Sequence, residues 1–389
     1  MEPKKVLPIL FAIMFLVMVG FGIIIPVIPF YAEEMGATPT QLGLLMAVYS
    51  LMQFLFAPMW GRISDRIGRK PVIMIGILGL SLSFFLMAIS TQLWMLFAAR
   101  IIGGFLSSAN MPTVMAYVAD ITSEEDRGKG MGIIGASIGM GFIFGPAIGG
   151  IFSQESLHLP FYIAGISSFI TFLFVLLVLK ESLHKEDRNG HSRKMAHVLK
   201  ALNGPISILF FLQLFISLSL SGLEATFAYF AAEKAGLDSV DLGYIFMVMG
   251  LAGAIVQGGL VGKLTKKWGE GAVIQLGIAV SALGFFLILF VDNFVTAAIF
   301  LTIFGVGNGV IRPSVSSLLT KRSKSGHGST TGLLSSFDSL GRMIGPPLGG
   351  WLFSITIGLP YISGIILSAV ALFLYRIYSK QEKSLSAGI

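Results

Sequence analysis

The chain has 389 residues, of which 54% are hydrophobic and only 12% are charged, and its mean hydropathy is +0.84. This composition excludes an ordinary soluble domain. The absence of cysteine excludes disulfides, thiol nucleophiles and thiolate metal sites.

Twelve apolar runs predict twelve transmembrane helices. Each run has about 20 residues, the length that an α-helix needs to cross a bilayer core of about 30 Å. The predicted spans are residues 7–29, 41–60, 71–90, 93–117, 131–153, 159–179, 205–230, 241–262, 272–291, 294–318, 330–354 and 359–375. The expected fold class is therefore an all-α integral membrane protein.

The positions of the basic residues predict the orientation of these spans. Of the 27 Lys and Arg residues, 23 lie in the N-terminus, the even-numbered connections and the C-terminal tail, and three lie inside spans. Lys234 is the one basic residue of an odd-numbered connection. Because cytoplasmic loops carry an excess of basic residues, both termini are expected in the cytoplasm. The formal charge of +7 then faces anionic lipid of the cell membrane and does not indicate nucleic-acid binding.

An internal repeat relates the two halves of the chain. A polar connection at 181–204, predicted to be a cytoplasmic linker, separates an N-terminal six-helix bundle at 1–180 from a C-terminal bundle with a short cytoplasmic tail at 205–389. Six landmarks of span five recur in span eleven, each 200 positions later; in span five they are Gly132, Gly141, Gly145, Pro146, Gly149 and Gly150. Duplicated six-helix bundles around a central cavity are typical of secondary transporters.

A second repeat relates the connections after spans two and eight. GRISDRIGRK, which begins at Gly61, is matched by GKLTKKWGEG, which begins at Gly262, with the same seven-residue step to Gly68 and Gly269. Together the two repeats make a carrier the expected class of protein.

Three motifs give the chain a resemblance to the major facilitator superfamily. They are GxxxDRxGRK after span two (Gly61, Asp65, Arg66, Gly68, Arg69, Lys70), RxxGG in span four (Arg100, Gly103, Gly104), and the glycine–proline motif of span five. Over essentially its whole length the chain most resembles the bacterial drug:proton antiporters with twelve spans, which are multidrug efflux carriers linked to antibiotic resistance. The span-five motif is similar to the one associated with antiporters. The first motif indicates a carrier but does not indicate its substrate.

The resemblance implies a cytoplasmic latch at the first motif. In such a latch Asp65 and Arg69 hold the cytoplasmic side in one conformation, with Asp120 as a partner. The same positive charges also act as an orientation signal, and that simpler interpretation stays open. In span five, small residues and the helix-bending Pro146 suit either a rocking interface or static helix packing.

Glu224 is the candidate for proton coupling. No Asp, Glu, Lys, Arg or His occurs from Pro205 to Leu223, and helical spacing places Ser221, Ser217 and Gln213 on the face of Glu224. Because burial disfavours an ionised carboxylate, this acid is expected to hold a proton and release it when the cavity opens, as a proton-coupled carrier requires. A protonated, purely structural glutamate is the alternative.

The substrate cavity is expected beside this acid. Phe227 borders its face and Tyr229 follows; with the polar stripe and Asn308, these two are the predicted lining residues. A carboxylate next to aromatic rings suits a lipophilic cation. The 32 Phe and 18 Met residues of the chain include side chains that can repack around substrates of many shapes.

Four other intramembrane charges bear on coupling. Arg312 is expected to be a fixed counter-charge or anion contact, because arginine does not lose its proton; some similar transporters have an acid where this chain has Gly309. Asp338 and Arg342, four residues apart, supply either an ion pair that opens during transport or a locked structural pair. The resemblance implies a proton-relay role for Arg100.

The leading hypothesis is export of amphipathic, often cationic, drugs from the cytoplasm by alternating access, in exchange for entering protons. The proton gradient is the expected energy source, with no cofactor and no metal, and the expected functional unit is a monomer. The runner-up is a narrow carrier for an endogenous metabolite, or a sugar or peptide importer. A non-transporting receptor or lipid-handling scaffold is a further alternative.

An enzyme is the least expected class. The sequence has no HExxH and no GxxxxGK[ST] motif. Its one GxSxG match, GASIG at Gly135–Gly139, lies inside the glycine-rich fifth span, without the strand-to-helix turn or the histidine base that a nucleophilic serine needs.

Overall fold

Every regular element of the described chain is helical. The computed structural model describes residues 3–123, 125–183, 206–322 and 327–387. The helices are α1 (Pro3–Ile23), α2 (Ile28–Glu34), α3 (Pro39–Ile67), α4 (Arg69–Ala88), α5 (Leu93–Ser107), α6 (Asn110–Ile121), α7 (Arg127–Ser153), α8 (Leu159–Val178), α9 (Ser207–Ala235), α10 (Ser239–Ile255), α11 (Val261–Ile288), α12 (Phe294–Arg322), α13 (His327–Ile355) and α14 (Leu359–Ala387). A π-helical turn, Val256–Leu260, joins α10 to α11. Most of the predicted linker lies outside the described residues.

These helices agree with the predicted spans. Ten helical segments of the described chain are long and apolar enough to cross a membrane. One of them, Ser239–Ile288, has 50 residues. A single crossing needs only about 20 residues, so this segment is long enough for predicted spans eight and nine together. Large apolar side chains such as Leu177, Ile255 and Phe373 are exposed, as lipid-facing residues are. A multi-pass, all-α membrane protein is thereby confirmed.

Two predicted spans are divided by turns, whereas in span eight the two α-helices are joined by the π-helical turn. Span one is broken between α1 and α2, and span four between α5 and α6 at Ser108–Ala109. Pro112 contributes to the second break, because a proline has no backbone N–H and its ring clashes with the carbonyl four residues earlier.

Two glycines make equivalent turns in the two halves of the chain. Gly68 (φ 112°) separates α3 from α4, and Gly269 (φ 80°) kinks α11. Side chains with a Cβ rarely adopt these backbone conformations. These two glycines stand seven residues into the two copies of the second repeat. The repeat therefore preserves a backbone turn as well as residue identities.

Contacts divide the chain into two compact units. The first contains the described residues of Met1–Ala37, Val48–Ser192 and Asp238–Met247; the second contains those of Thr38–Ala47, Arg193–Leu237 and Val248–Ile389. In the first unit α7 packs along α1, and α4 packs on α5 and α8. In the second, α13 packs along α9, and α11 packs on α12 and α14.

The span-five glycines create the α1–α7 contact of the first unit. A Cβ at Gly145 would lie 2.7 Å from the Cα of Gly22, and a Cβ at Gly141 would lie 2.8 Å from the backbone of Met18. Contacts this close are possible only where no side chain intervenes. Gly132 differs from these, because nothing lies within 4 Å of the place where its Cβ would be.

The matching glycines create the α9–α13 contact of the second unit. A Cβ at Gly341 would lie 2.6 Å from the Cβ of Ser217, and a Cβ at Gly349 would lie 2.9 Å from the carbonyl oxygen of Gly222. Gly332 faces open space, as Gly132 does. The 200-residue repeat therefore reproduces one helix-pair geometry in each unit, and the second of these pairs carries the acidic residues.

Candidate functional site

Asp338 is the centre of a buried polar network in the second unit. It lies on α13 against α9, at the register set by Gly341, and is 9% exposed. Its Oδ1 accepts a hydrogen bond of 3.0 Å from Nε2 of Gln213 and a short one from the hydroxyl of Ser217. The polar stripe of α9 therefore binds the acid of α13.

Two arginines compensate the charge of Asp338. Its Oδ2 is 3.5 Å from Nε of Arg342, one turn along α13, and 3.6 Å from Nη2 of Arg312 on α12. Two cationic side chains and two hydrogen-bond donors therefore converge on the carboxylate of Asp338.

Glu224 has a different environment on the same helix pair. Among the described residues its ionic partner is Arg342, whose Nη1 is 3.9 Å from Oε2 of Glu224, a long distance for an ion pair. The Glu224 side chain is 28% accessible, whereas that of Asp338 is 12% accessible. Among the described residues, Glu224 is therefore the more accessible and the more loosely paired of the two acids.

Arg342 links the two acids. The same guanidinium is within ion-pair distance of both carboxylates, through Nη1 and Nε. Arg342 therefore connects the acid of α9 with the acid of α13.

The predicted cavity residues are placed in several environments. Gln213, Ser217 and Ser221 are buried at the α9–α13 contact, where the hydroxyl of Ser221 donates 3.1 Å to the carbonyl oxygen of Gly341. Phe227 is fully buried, and Tyr229, which is 7% exposed, packs against Phe353. These two rings therefore belong to the packed interior in this conformation.

Asn308 lines a small cavity in the second unit. The cavity has a volume of about 10 Å³, roughly the room for one water molecule. Ser219, Ser281 and Ser368 provide its other polar groups, and the hydroxyl of Ser281 has no hydrogen-bond partner among the described residues. The spacing of Asn308 and Arg312 placed both on one helix face, but this cavity was not predicted because its walls come from several helices.

The residues of the predicted latch meet around Arg69 in the first unit. This side chain, at the start of α4, is 7% exposed. Its Nη1 donates 2.6 Å to Asp65 and 2.7 Å to Ser64, and its Nε donates 3.0 Å to Asp120. The structure thus brings together the three ionic residues that the resemblance had implied, from α3, α4 and α6.

Glu181, which no predicted motif includes, also belongs to this cluster. Its carboxylate accepts hydrogen bonds of 2.7 Å and 3.1 Å from the backbone N–H groups of Arg69 and Lys70, the first residues of α4. A carboxylate in this position satisfies backbone donors and is stabilised by the positive end of the helix dipole. Its signal was an acid directly after span six, in a segment assigned to the linker.

Arg66 and Gly61 have no comparable role in the geometry. Arg66 is exposed, and nothing lies within 4 Å of the Cβ position of Gly61. Lys70 donates 2.7 Å to the carbonyl oxygen of Leu176 at the end of α8. The motif therefore combines a buried ionic centre with exposed basic residues.

Arg100 is buried in the first unit, and is 5% exposed. Its Cζ lies 4.7 Å from the centroid of the Tyr49 ring, and its Nε has no hydrogen-bond partner among the described residues. No group of three or more metal-ligating side chains (His, Cys, Asp or Glu) occurs in the described part of the chain.

The duplicated units of packed helices, with charged side chains paired between helices, are typical of a membrane transport protein of the secondary-carrier class. The chain belongs to the Major Facilitator Superfamily, whose family model matches residues 10–332 and 260–388. It is 31% identical to multidrug resistance protein 2 of Bacillus subtilis (strain 168), over 99% of this chain and 98% of that protein. It is 30% identical to the quinolone resistance protein NorA of Staphylococcus aureus (strain MSSA476), over 95% of this chain and 96% of that protein.

Solved structures agree with this fold. A transporter of the POT family in complex with a thioalcohol-conjugated peptide superimposes with a TM-score of 0.80, at 15% identity, over 98% of this chain and 96% of that one. At this level of identity the likeness establishes the fold alone.

Proposed function

We propose that this protein exports amphipathic, often cationic, compounds from the cytoplasm by alternating access, in exchange for protons that enter. Full-length relatives with about 30% identity are named for multidrug and quinolone resistance. The observation that carries the proposal is the contrast between two acids on one helix pair. Asp338 is compensated by two arginines and two hydrogen-bond donors, whereas Glu224 is accessible and loosely paired.

Glu224 is the proton-exchanging group in this mechanism. A lipophilic cation from the cytoplasm binds beside the ionised carboxylate, and a proton arriving from outside neutralises it and displaces the cation. The empty, protonated carrier then returns inward and releases the proton. Arg312 and Arg342 keep their charge throughout and hold Asp338 ionised.

The remaining predicted residues support this cycle. Phe227 and Tyr229 are proposed to line the cavity in a conformation that opens the α9 face. The cluster of Asp65, Arg69 and Asp120 is proposed to latch the cytoplasmic side. The span-five glycines, with Pro146, are proposed to form a rocking interface.

The setting of the carrier follows the sequence pattern. We propose that it lies in the cell membrane with both termini in the cytoplasm, as the basic connections indicate. Residues 1–180 and 205–389 form the two six-helix bundles, and 181–204 form the linker. The chain works as a monomer, catalyses no reaction and needs no bound cofactor, because the proton gradient supplies the energy.

The test is ethidium uptake into inverted membrane vesicles that carry the wild type, Glu224→Gln or Glu233→Gln. Glu233 is a matched control, because it is an exposed glutamate of the same helix. Uptake should require a proton gradient, stop on addition of an uncoupler, persist in Glu233→Gln and be lost in Glu224→Gln. Full proton-driven uptake by Glu224→Gln would refute the assigned coupling role. The absence of gradient-driven uptake by an expressed wild type would contradict ethidium export itself.

A further inference from the structure

A glutamine on the π-helical turn lies outside both polar clusters. Gln257 is the second residue of the turn Val256–Leu260 and falls within predicted span eight. Its side chain is exposed and makes no hydrogen bond with another described residue. An amide without partners is costly in lipid, so a polar side chain at membrane depth faces the helix bundle or water. The direction in which Gln257 points therefore decides what its amide contacts.

The lipid-facing side of this helix is opposite to Gln257. Ile255, two residues earlier, is 68% exposed, as apolar lipid-facing residues are. At about 100° per residue, a step of two residues corresponds to roughly half a turn of helix. Val256, between the two, is buried. Gln257 is therefore exposed on the side of the helix that points away from lipid, and its amide meets water there.

Glycines of α12 lie beneath this side of the helix. A Cβ at Gly309 would lie 3.2 Å from Nε2 of Gln257, and a Cβ at Gly305, one turn earlier, would overlap the side chain of Met249 on α10. Residues four apart share one helix face, so Met249 and Gln257 both lie on the same strip of α12. Because Gly309 has no side chain, it neither covers the amide of Gln257 nor binds it.

A charged neighbour indicates that the same strip of α12 is exposed to water. Arg312, three residues after Gly309, has a side chain that is 56% accessible, and its Nη2 is 3.6 Å from Oδ2 of Asp338. An arginine at membrane depth needs an acid or water at its charged end. The amide of Gln257 and the guanidinium of Arg312 therefore border one polar surface in the second unit.

The backbone around Gln257 suits close approach of a ligand. The N–H of Val261 donates to the carbonyl oxygen of Val256, five residues earlier, and such π-helical turns frequently occur at functional sites. Gly258 and Gly259 follow Gln257, and nothing lies within 4 Å of either Cβ position. Glycines permit a ligand to approach the backbone closely. The amide is thus the side chain that this open turn presents.

The two polar groups of this surface differ in hydrogen-bonding chemistry. A guanidinium has N–H donors and no acceptor, whereas a carboxamide has N–H donors and a carbonyl oxygen that accepts. Oε1 of Gln257 therefore supplies an uncharged acceptor beside the donors of Arg312. Amino and amide N–H groups of a bound compound match this acceptor.

We propose that Gln257 is a specificity-determining residue of this carrier and that its carbonyl oxygen binds the N–H groups of transported aromatic amines. This inference rests on the proposed function, because it concerns the compounds that the proposed exporter carries. Gln257 takes no part in proton exchange, which belongs to Glu224 in that proposal.

Cysteine labelling tests the exposure of Gln257 to water. The chain has no cysteine, so Gln257→Cys and Ile255→Cys each contain a single thiol. In open membrane fragments, a charged methanethiosulfonate should modify Gln257→Cys about tenfold faster than Ile255→Cys, because it reacts with a thiolate, which forms in water and not in lipid. Ethidium should slow the labelling of Gln257→Cys. Equal rates at the two positions, or labelling that ethidium does not slow, would overturn the proposal.

Two ligands that differ only in their amines test the recognition itself. Ethidium carries two aromatic amino groups, and its deaminated analogue is the same cation without them. The purified full-length wild type should bind ethidium about fivefold tighter than the analogue, the effect expected for one neutral hydrogen bond. In Gln257→Leu the affinity for ethidium should fall about fivefold, and that for the analogue should change less than about twofold. Gln257→Glu keeps an acceptor for N–H groups and should keep the preference for ethidium.

Controls separate recognition from folding and from export. Gln154→Leu, which removes an exposed glutamine directly after α7, should behave as the wild type. Equal binding of both ligands by the wild type would overturn the proposal, as would equal weakening of both in Gln257→Leu. If Gln257→Leu does not fold, loss of the preference in Gln257→Glu would overturn it. Binding needs no proton gradient, so failure of ethidium uptake by wild-type vesicles would count against the proposed export, and the ligand comparison would still decide the role of Gln257.

Discussion

Alanine at position 145 is expected to destabilise the protein, although alanine normally favours a helix over glycine. The Cβ would lie 2.7 Å from the Cα of Gly22 and 2.8 Å from the carbonyl oxygen of Val19. The first distance is about 0.7 Å short of the 3.4 Å at which ordinary contacts begin. Because both neighbours are backbone atoms, no side-chain rotation can relieve the overlap, and α1 and α7 must move apart.

The magnitude follows from two opposing effects. Overpacking of a close contact costs about 1–3 kcal/mol, whereas replacing a helical glycine by alanine gains about 0.5–1 kcal/mol. Gly139 lies on the same helix and has nothing within 4 Å of its Cβ position, so Gly139→Ala should show only the gain. Because both variants have that gain, their free energies of unfolding should differ by the overpacking cost alone, about 1–3 kcal/mol.

The assay is SDS-induced unfolding in mixed micelles, followed by the helical circular dichroism signal, with the two variants and the wild type in parallel. Gly345→Ala, the equivalent change in the second unit, should also destabilise, because its Cβ would overlap the α9 backbone. If Gly145→Ala and Gly139→Ala unfold at the same SDS fraction, the glycine motif is not required for close packing, and the α1–α7 contact is wrong.

Three further predictions address the polar clusters. Asp338→Asn leaves two arginines without their shared carboxylate. It should lower the free energy of unfolding by about 1–3 kcal/mol and abolish ethidium uptake. A wild-type stability together with wild-type uptake would contradict a central role for Asp338. Asp120→Asn removes one of the two acids bound by the buried Arg69 and should weaken that cluster, seen as faster amide hydrogen exchange at the start of α4; unchanged exchange would exclude a contribution. Gly68→Ala should cost about 1–2 kcal/mol in the same unfolding assay because φ is 112° there, whereas Gly61→Ala should not; equal effects would refute the backbone argument.

Most of the fold could be predicted from the sequence because lipid imposes a simple rule. A segment that crosses a bilayer must satisfy its backbone hydrogen bonds internally, so an apolar run of about 20 residues has few alternatives to a helix. The breaks in spans one and four were not predicted, because hydropathy measures burial in lipid and is insensitive to a lost backbone hydrogen bond. The repeat predicted more than topology, since its glycines occupy matching contacts in both units.

The candidate site could be predicted only in part. Helical spacing placed Gln213 and Ser217 on one face of α9, and Asp338 four residues before Arg342. It could not show that the first two donate to Asp338, because partners on different helices are set by tertiary packing. The contrast in pairing between Asp338 and Glu224 likewise depends on which carboxylates the side chains of Arg312 and Arg342 contact.

Proton release on substrate binding tests the central claim most directly. Tetraphenylphosphonium, a lipophilic cation, is added to the purified protein in weakly buffered solution, at a pH where the free carrier holds its proton, and the released protons are counted. If the cation and the proton compete for Glu224, the wild type should release about one proton per bound cation, and Glu224→Gln should release none. Undiminished release by Glu224→Gln, with binding intact, would contradict the assignment of Glu224 as the proton-exchanging group.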